Sequence, residues 1–186
     1  MSDRIVSVII LAEDVRSANF LRRYIKHLGS RINQRQIRVD TCWQGSGEQY
    51  VRQKYPVEVA EQRRCVKGGF RSAALLVHID ADTETVSVEH GLLAKELKKT
   101  GQDARESTEH IAIVVPKRHT ETWLHGLCGT SVTEDQDCKR ELKDHDPKIA
   151  SAAKELFELT RRNAPPPPQN LPALNPAILE LRRLES

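Results

Sequence analysis

The chain alternates short apolar runs with longer amphipathic stretches. Residues 6–12 form a nearly continuous aliphatic run, Val6, Val8, Ile9, Ile10, Leu11 and Ala12, closed by Glu13 and Asp14. A strand buried on both faces reads this way, because neither of its sides meets water. Over residues 15–28, Leu21, Ile25 and Leu28 recur at helical spacing beside Phe20 and Tyr24, with Arg22, Arg23 and Lys26 opposite and Gly29 as a stop. That spacing predicts an amphipathic helix. The same unit returns at residues 73–79, where Ala73, Ala74, Leu75, Leu76, Val77 and Ile79 precede the acids Asp80 and Asp82 and a predicted helix over 84–99, stopped near Gly101.

Between these units the pattern predicts a short strand over 37–41 and a charged helix over 48–64, opened by the glycine-punctuated turn Gly45, Ser46, Gly47. Residues 111–115 predict a further strand closed by Pro116, residues 120–127 a short helix carrying Trp123 and Leu124, and residues 147–162 another helix. Four strands alternating with helices imply right-handed crossovers and an α/β fold, a parallel sheet covered on both faces with any site at the carboxyl ends of its strands. The prolines at 165–168 cannot continue a helix or a ladder, so they are expected to form an extended spacer that detaches the C-terminal segment. In that segment Leu174, Ile178 and Leu181 predict a small helix that either docks back or grips a partner. The expected organisation is a catalytic domain over 1–130, a helical extension over 131–163, and a spacer with a short helix over 164–186.

Composition narrows the class. Of 186 residues, 38% are hydrophobic, 30% charged and only 4% aromatic, with a mean hydropathy of -0.55, as in a charge-rich domain around an aliphatic core. The apolar runs fall far short of the roughly 20 residues a transmembrane helix needs, and Asp3 and Arg4 lead into no cleavable signal pattern. The expectation is therefore a cytoplasmic protein without membrane contact. A net charge of +3 permits a nucleic-acid partner without arguing for one. Cys42, Cys65, Cys128 and Cys138 contain no CxxC pair, so neither a disulfide framework nor a zinc site follows from them.

The candidate chemistry lies in the acids at strand ends. A parallel sheet would bring Glu13, Asp80 and Asp82 from distant sequence to one crevice. Mg²⁺ takes oxygen ligands in an octahedral shell and is held by one or two carboxylates while keeping waters or phosphate oxygens elsewhere. One or two such ions polarise a phosphodiester and activate water, with Glu13 as a ligand or as general acid and base. Individually, Asp14 and Asp82 also suit helix N-caps.

Ile9, Ile10, Leu11, Ala12 and Glu13, followed by Ile79, Asp80, Ala81 and Asp82, resemble the glutamate and Asp-x-Asp signature of the Toprim domain, over about residues 5–116. That superfamily includes topoisomerases, primases, recombination proteins, small RNA-maturing nucleases and the nucleases of the overcoming-lysogenization-defect group. The resemblance implies a Rossmann-like, four-stranded Toprim-like fold with a helical C-terminal extension. It also implies acid-base chemistry at Glu13 and Mg²⁺, or Mn²⁺, at Asp80 and Asp82. The chain has no room for a topoisomerase's tyrosine-bearing domain or a primase body, which leaves a stand-alone nuclease subunit. Residues 115–123 are similar to a segment of small Toprim-like proteins in bacterial defence loci, often encoded beside an ATPase; the resemblance thus implies antiviral defence and an ATPase partner.

Lys117 and Arg118 follow the fourth strand and would face the same crevice, where a cation binds a scissile phosphate, and Glu121 would add a ligand. Each has a plainer reading as a solvated loop residue or a first-turn acid. Arg52, Lys54, Arg63, Arg64, Lys67 and Arg71, with Tyr50 and Tyr55 interleaved, could track a nucleic-acid backbone or form a solvated helix face diluted by Glu48, Glu58 and Glu61. The Gly45 to Gly47 turn could offer amides to a phosphate but lacks the P-loop lysine, and a plain turn explains it. His119, His125, Cys128, Cys138 and His145 match no usual zinc spacing. Two other functions compete with a nuclease: a phosphoacceptor receiver, because residues 11–14 and the following helix resemble the start of response regulators, and a non-catalytic subunit assembled through the tail. Against the receiver stand the long interval from Asp14 to Asp80 and the Asp-x-Asp pattern.

Overall fold

A computed structural model describes residues 7–29, 32, 36–69, 73–139 and 147–184. Val6, Arg71 and His145 lie outside the described residues. The elements run β1 (Ser7–Ala12), α1 (Val15–His27), β2 (Ile37–Thr41), α2 (Gly47–Lys67), β3 (Ala73–His78), α3 (Val86–Lys99), β4 (Ile111–Val114), α4 (Thr120–Leu127), α5 (Pro147–Thr160) and α6 (Leu174–Arg182). The four strands form one all-parallel sheet in the order β2-β1-β3-β4. The protein is thus an α/β protein with a Rossmann-like sheet flanked by helices.

The two-residue period of a strand explains why β1, β3 and β4 read as unbroken apolar runs. Ile9, Leu11, Leu75, Val77, Ile111 and Ile113 pack with Val51, Tyr55 and Val59 of α2 and Leu93 and Leu97 of α3. Their neighbours Val8, Ile10, Ala74, Leu76, Ala112 and Val114 belong to a second cluster with α1, α4, α5 and α6. Helix starts follow local chemistry: Asp14 accepts from the Ser17 N–H at 2.8 Å, Ser46 from Gln49 at 3.3 Å and Thr85 from Val88 at 3.3 Å. Asp14 is therefore a cap, whereas Asp82 is not; α3 begins two residues later than the pattern predicts, at Val86. Helix α2 runs to Lys67 straight through Pro56, whose ring removes one donor without ending the helix.

The proline run does not detach the tail. Leu174, Ile178 and Leu181 are buried in the same cluster as α1 and α5, and Glu180 Oε2 accepts the Ile113 N–H of β4 at 3.0 Å while pairing with Arg105. Of the two expectations for this helix, docking back is the one observed, because the apolar stripe finds its partner surface within its own chain. Among the described residues no helix is long and apolar enough to cross a membrane.

Candidate active site

Strands β1 and β3 are neighbours at the centre of the sheet, and from them the chain winds outward in opposite directions, to β2 and to β4. The crevice at the carboxyl ends of such a pair is where open α/β sheets bind ligands. Glu13 directly follows β1 and Asp80 lies two residues past β3. The Asp80 N–H donates to Glu13 Oε1 at 2.7 Å. Burial, and then the charge of Asp80, push the Glu13 carboxyl up to about 8 against that hydrogen bond, and the further charges acting on it, Asp14 and Glu48, are acidic too. At neutral pH Glu13 therefore holds a proton unless a cation offsets this crowding.

Helix α2 starts against this acid. A Cβ on Gly47 would stand 2.8 Å from Glu13 Cβ and 3.0 Å from its carbonyl oxygen, so only glycine permits the approach. Gly45 turns the chain at φ +96°. Tight turning, close approach and the Ser46 cap account for this motif without a phosphate.

Asp80 is held from the other side by a buried hydroxyl. Thr120 donates to Asp80 Oδ1 at 3.2 Å, and its Oγ1 also lies 2.9 Å from His78 Nε2 and 3.0 Å from Ser17 Oγ. Since Thr120 has one proton and directs it to Asp80, His78 donates from Nε2 and Ser17 donates as well. Complete burial drives the His78 pKa down despite nearby Asp80, which keeps the ring neutral and suits that assignment. His119, buried at the start of α4, stands among three acids. Its Nδ1 is 3.7 Å from Asp80 Oδ2, and its Nε2 is 3.9 Å from Asp82 Oδ1 and 3.7 Å from Asp137 Oδ1. These are ion-pair distances, and polar contact with Asp80 outweighs burial to raise the His119 pKa. Asp82 adopts φ +49°, the left-handed region that an aspartate tolerates at some cost, and its side chain is open to solvent.

The remaining candidates sit elsewhere or are already paired. Glu121 is buried in the first turn of α4 in an ion pair with Arg16. Arg52 joins α2 to α3, pairing with Glu48 and, at 2.6 Å, with buried Glu89. Arg63 grips Glu109 at 2.6 Å and Arg64 pairs with Glu61 on the same helix, while Tyr55 is in the core. The basic stretch of α2 is thus largely engaged in structural pairs. Arg118 donates to the Asp135 carbonyl at 3.1 Å, and Lys117 lines a hollow between α3 and α6 with Thr85, His90 and Pro176. Cys128 and His125 contact Lys148, by its carbonyl and its amine respectively.

Nothing in the linear pattern singles out Ser17 or Thr120, and His119 enters it only as a doubtful zinc ligand. The one signal for His78 is a histidine ending an otherwise aliphatic strand; its partner Thr120 comes from a helix more than 40 residues later in the chain. Among the described residues no group of three or more His, Cys, Asp or Glu side chains is arranged to hold a metal ion as it stands. By donor type alone, the carboxylates of Glu13, Asp80 and Asp82 are the oxygen ligands a hard cation takes.

A scan against protein-family models, a search of curated proteins and a search of solved structures each find no match to this chain.

Proposed function

We propose that this chain is a divalent-metal-dependent nuclease of Toprim-like kind, cleaving phosphodiester bonds of DNA or RNA in the cytoplasm. The observation that carries the reading is the Glu13–Asp80 pair, two carboxylates joined through the Asp80 N–H at the switch point of the sheet, with acidic surroundings. Mg²⁺ or Mn²⁺ would be held by Asp80 and Asp82, with Glu13 beside them; when bound, such an ion polarises a phosphoryl oxygen and makes water a better nucleophile. The chain's own groups prepare that site. Ser17 and His78 order Thr120, Thr120 orients Asp80, and the Asp80 amide holds Glu13 where it can pass a proton to or from the reacting oxygens. His119 balances the acid cluster and ties the Asp80 loop to Asp137. Lys117 and Arg118 would contact backbone phosphates further along the strand. The Toprim resemblance extends the proposal to antiviral defence beside an ATPase partner.

The test is cleavage of single- and double-stranded DNA and RNA with Mg²⁺ or Mn²⁺, wild type against Asp80→Asn, which keeps an oxygen for the Thr120 hydroxyl. Cleavage should fall by about 10³-fold with the fold intact. Cleavage that persists in the variant, or that needs no metal, would sink the reading.

A receiver module is the second reading, and the strand order favours it, since β2-β1-β3-β4 is also how receivers arrange their first four strands. Incubation with a small phosphodonor decides it: a phosphoryl group on Asp80 is required, and none is expected, because Asp80 is held by Thr120 and flanked by His78 and His119.

A further inference from the structure

Trp43 is 96% exposed, whereas the chain's other tryptophan, Trp123, is 1% exposed in the core. A bare indole is costly in water, and this one stands on a built turn. The Cys42 thiol donates to the Gln44 carbonyl at 3.2 Å, Gly45 reverses the backbone at φ +96°, and Ser46 caps α2. Four residues on, Gly47 touches Glu13. Thr41 of β2 pairs with Ala12 of β1 in the parallel ladder, so Trp43, two residues past Thr41, stands at the same carboxyl rim of the sheet as Glu13. Further along the same helix, Tyr50 is anchored to Asp40, and Lys54 Nζ stands 5.9 Å from its ring centroid.

We infer that Trp43 is a stacking platform for an unpaired nucleobase at the mouth of the acidic crevice, so that the site prefers single-stranded DNA or RNA. This rests on the nuclease reading above. A strand whose phosphate lies at Glu13 and Asp80 would carry a neighbouring base to the tryptophan. Base–aromatic stacking tolerates any sequence, because every base has a π-face. In a duplex those faces are stacked on one another, so an exposed indole has little to grip. The flanking residues favour a base over a protein surface: Cys42, Gln44, Gly45 and Ser46 form a polar turn, whereas an aromatic anchor of a protein interface works inside a desolvated apolar patch.

The full chain is titrated with oligo(dT) and with a duplex of equal length, Ca²⁺ replacing Mg²⁺ so that binding is read without turnover. Labelled-oligonucleotide anisotropy and intrinsic tryptophan emission are followed for wild type, Trp43→Ala and Trp43→Phe. Stacking should quench the emission of the exposed indole while buried Trp123 stays silent. Trp43→Ala should bind oligo(dT) about tenfold more weakly, Trp43→Phe should recover most of that loss, and duplex affinity should not change. Unchanged oligo(dT) affinity in Trp43→Ala, equal losses on both substrates, or no binding of oligo(dT) to wild type overturns the inference. So does a fall in oligomer mass by light scattering with unaltered nucleic-acid binding, which would assign Trp43 to a contact between copies. The nuclease reading fails separately, if wild type cleaves nothing in the metal panel.

Discussion

Two populations of partly buried carboxylates sit a few residues from the same sheet and behave in opposite ways. On the flanks Glu180 pairs with Arg105 and Glu109 with Arg63. Burial raises Glu180, but the hydrogen bonds and charge of Arg105 bring it below the usual carboxylate range, and Glu109 is lowered in the same way by Arg63. At the carboxyl rim Glu13 meets burial and the charges of Asp80, Asp14 and Glu48 together, and its carboxyl rises to about 8. A guanidinium does not by itself decide the direction, since burial keeps Glu89 raised beside Arg52 and Glu121 raised beside Arg16; the balance of burial against partners does. On the flanks charge is neutralised within the fold and ties α6 to β4 and α2 to the loop before β4. At the rim like charge adds to burial on Glu13 instead of offsetting it, so ionising that carboxyl costs the fold stability.

That contrast can be attacked from each side. The largest effect is expected from Arg105→Met, which removes the donor to Ile111 O and Glu180 and leaves a half-buried carboxylate with less compensation. Denaturant unfolding should show a loss of about 3 kcal/mol; no loss would mean the flank pairs are decorative. Next is Glu13→Gln, which keeps an oxygen for the Asp80 N–H. Glu13 titrates near 8 in the folded protein and near 4.5 unfolded, so between those values the folded state binds the extra proton and wild-type stability falls as pH rises. The variant should lack this decline and exceed wild type by about 1–2 kcal/mol at pH 8.5 in metal-free buffer. Parallel curves for the two proteins would refute the rim assignment. The smallest effect belongs to Arg64→Ala, an exposed pair with Glu61 on one helix, whose melting temperature should equal that of wild type.

The same contrast separates what was legible from what was not. The position of the acids at strand ends was legible, because each closes an aliphatic run, although Asp14 serves there as the cap of α1. The pairing of the basic stretch of α2 was not legible: Arg52 and Arg63 have partners on other elements, Glu89 and Glu109, that no local pattern reveals. The partner of Glu121 was hidden for the same reason, Arg16 lying on α1.

Sequence by itself determined the four strands, three of them buried, the helices between them and the parallel sheet, since aliphatic periodicity and capping are local properties that burial on both faces of β1, β3 and β4 only reinforces. Tertiary structure alone decided three things. It brought Thr120, His78 and Ser17 together behind Asp80, returned the tail to the core past its prolines, and left Trp43 in solvent at the carboxyl rim of the sheet. Each depends on distances between groups far apart in the chain, and a linear pattern of residues does not contain those distances.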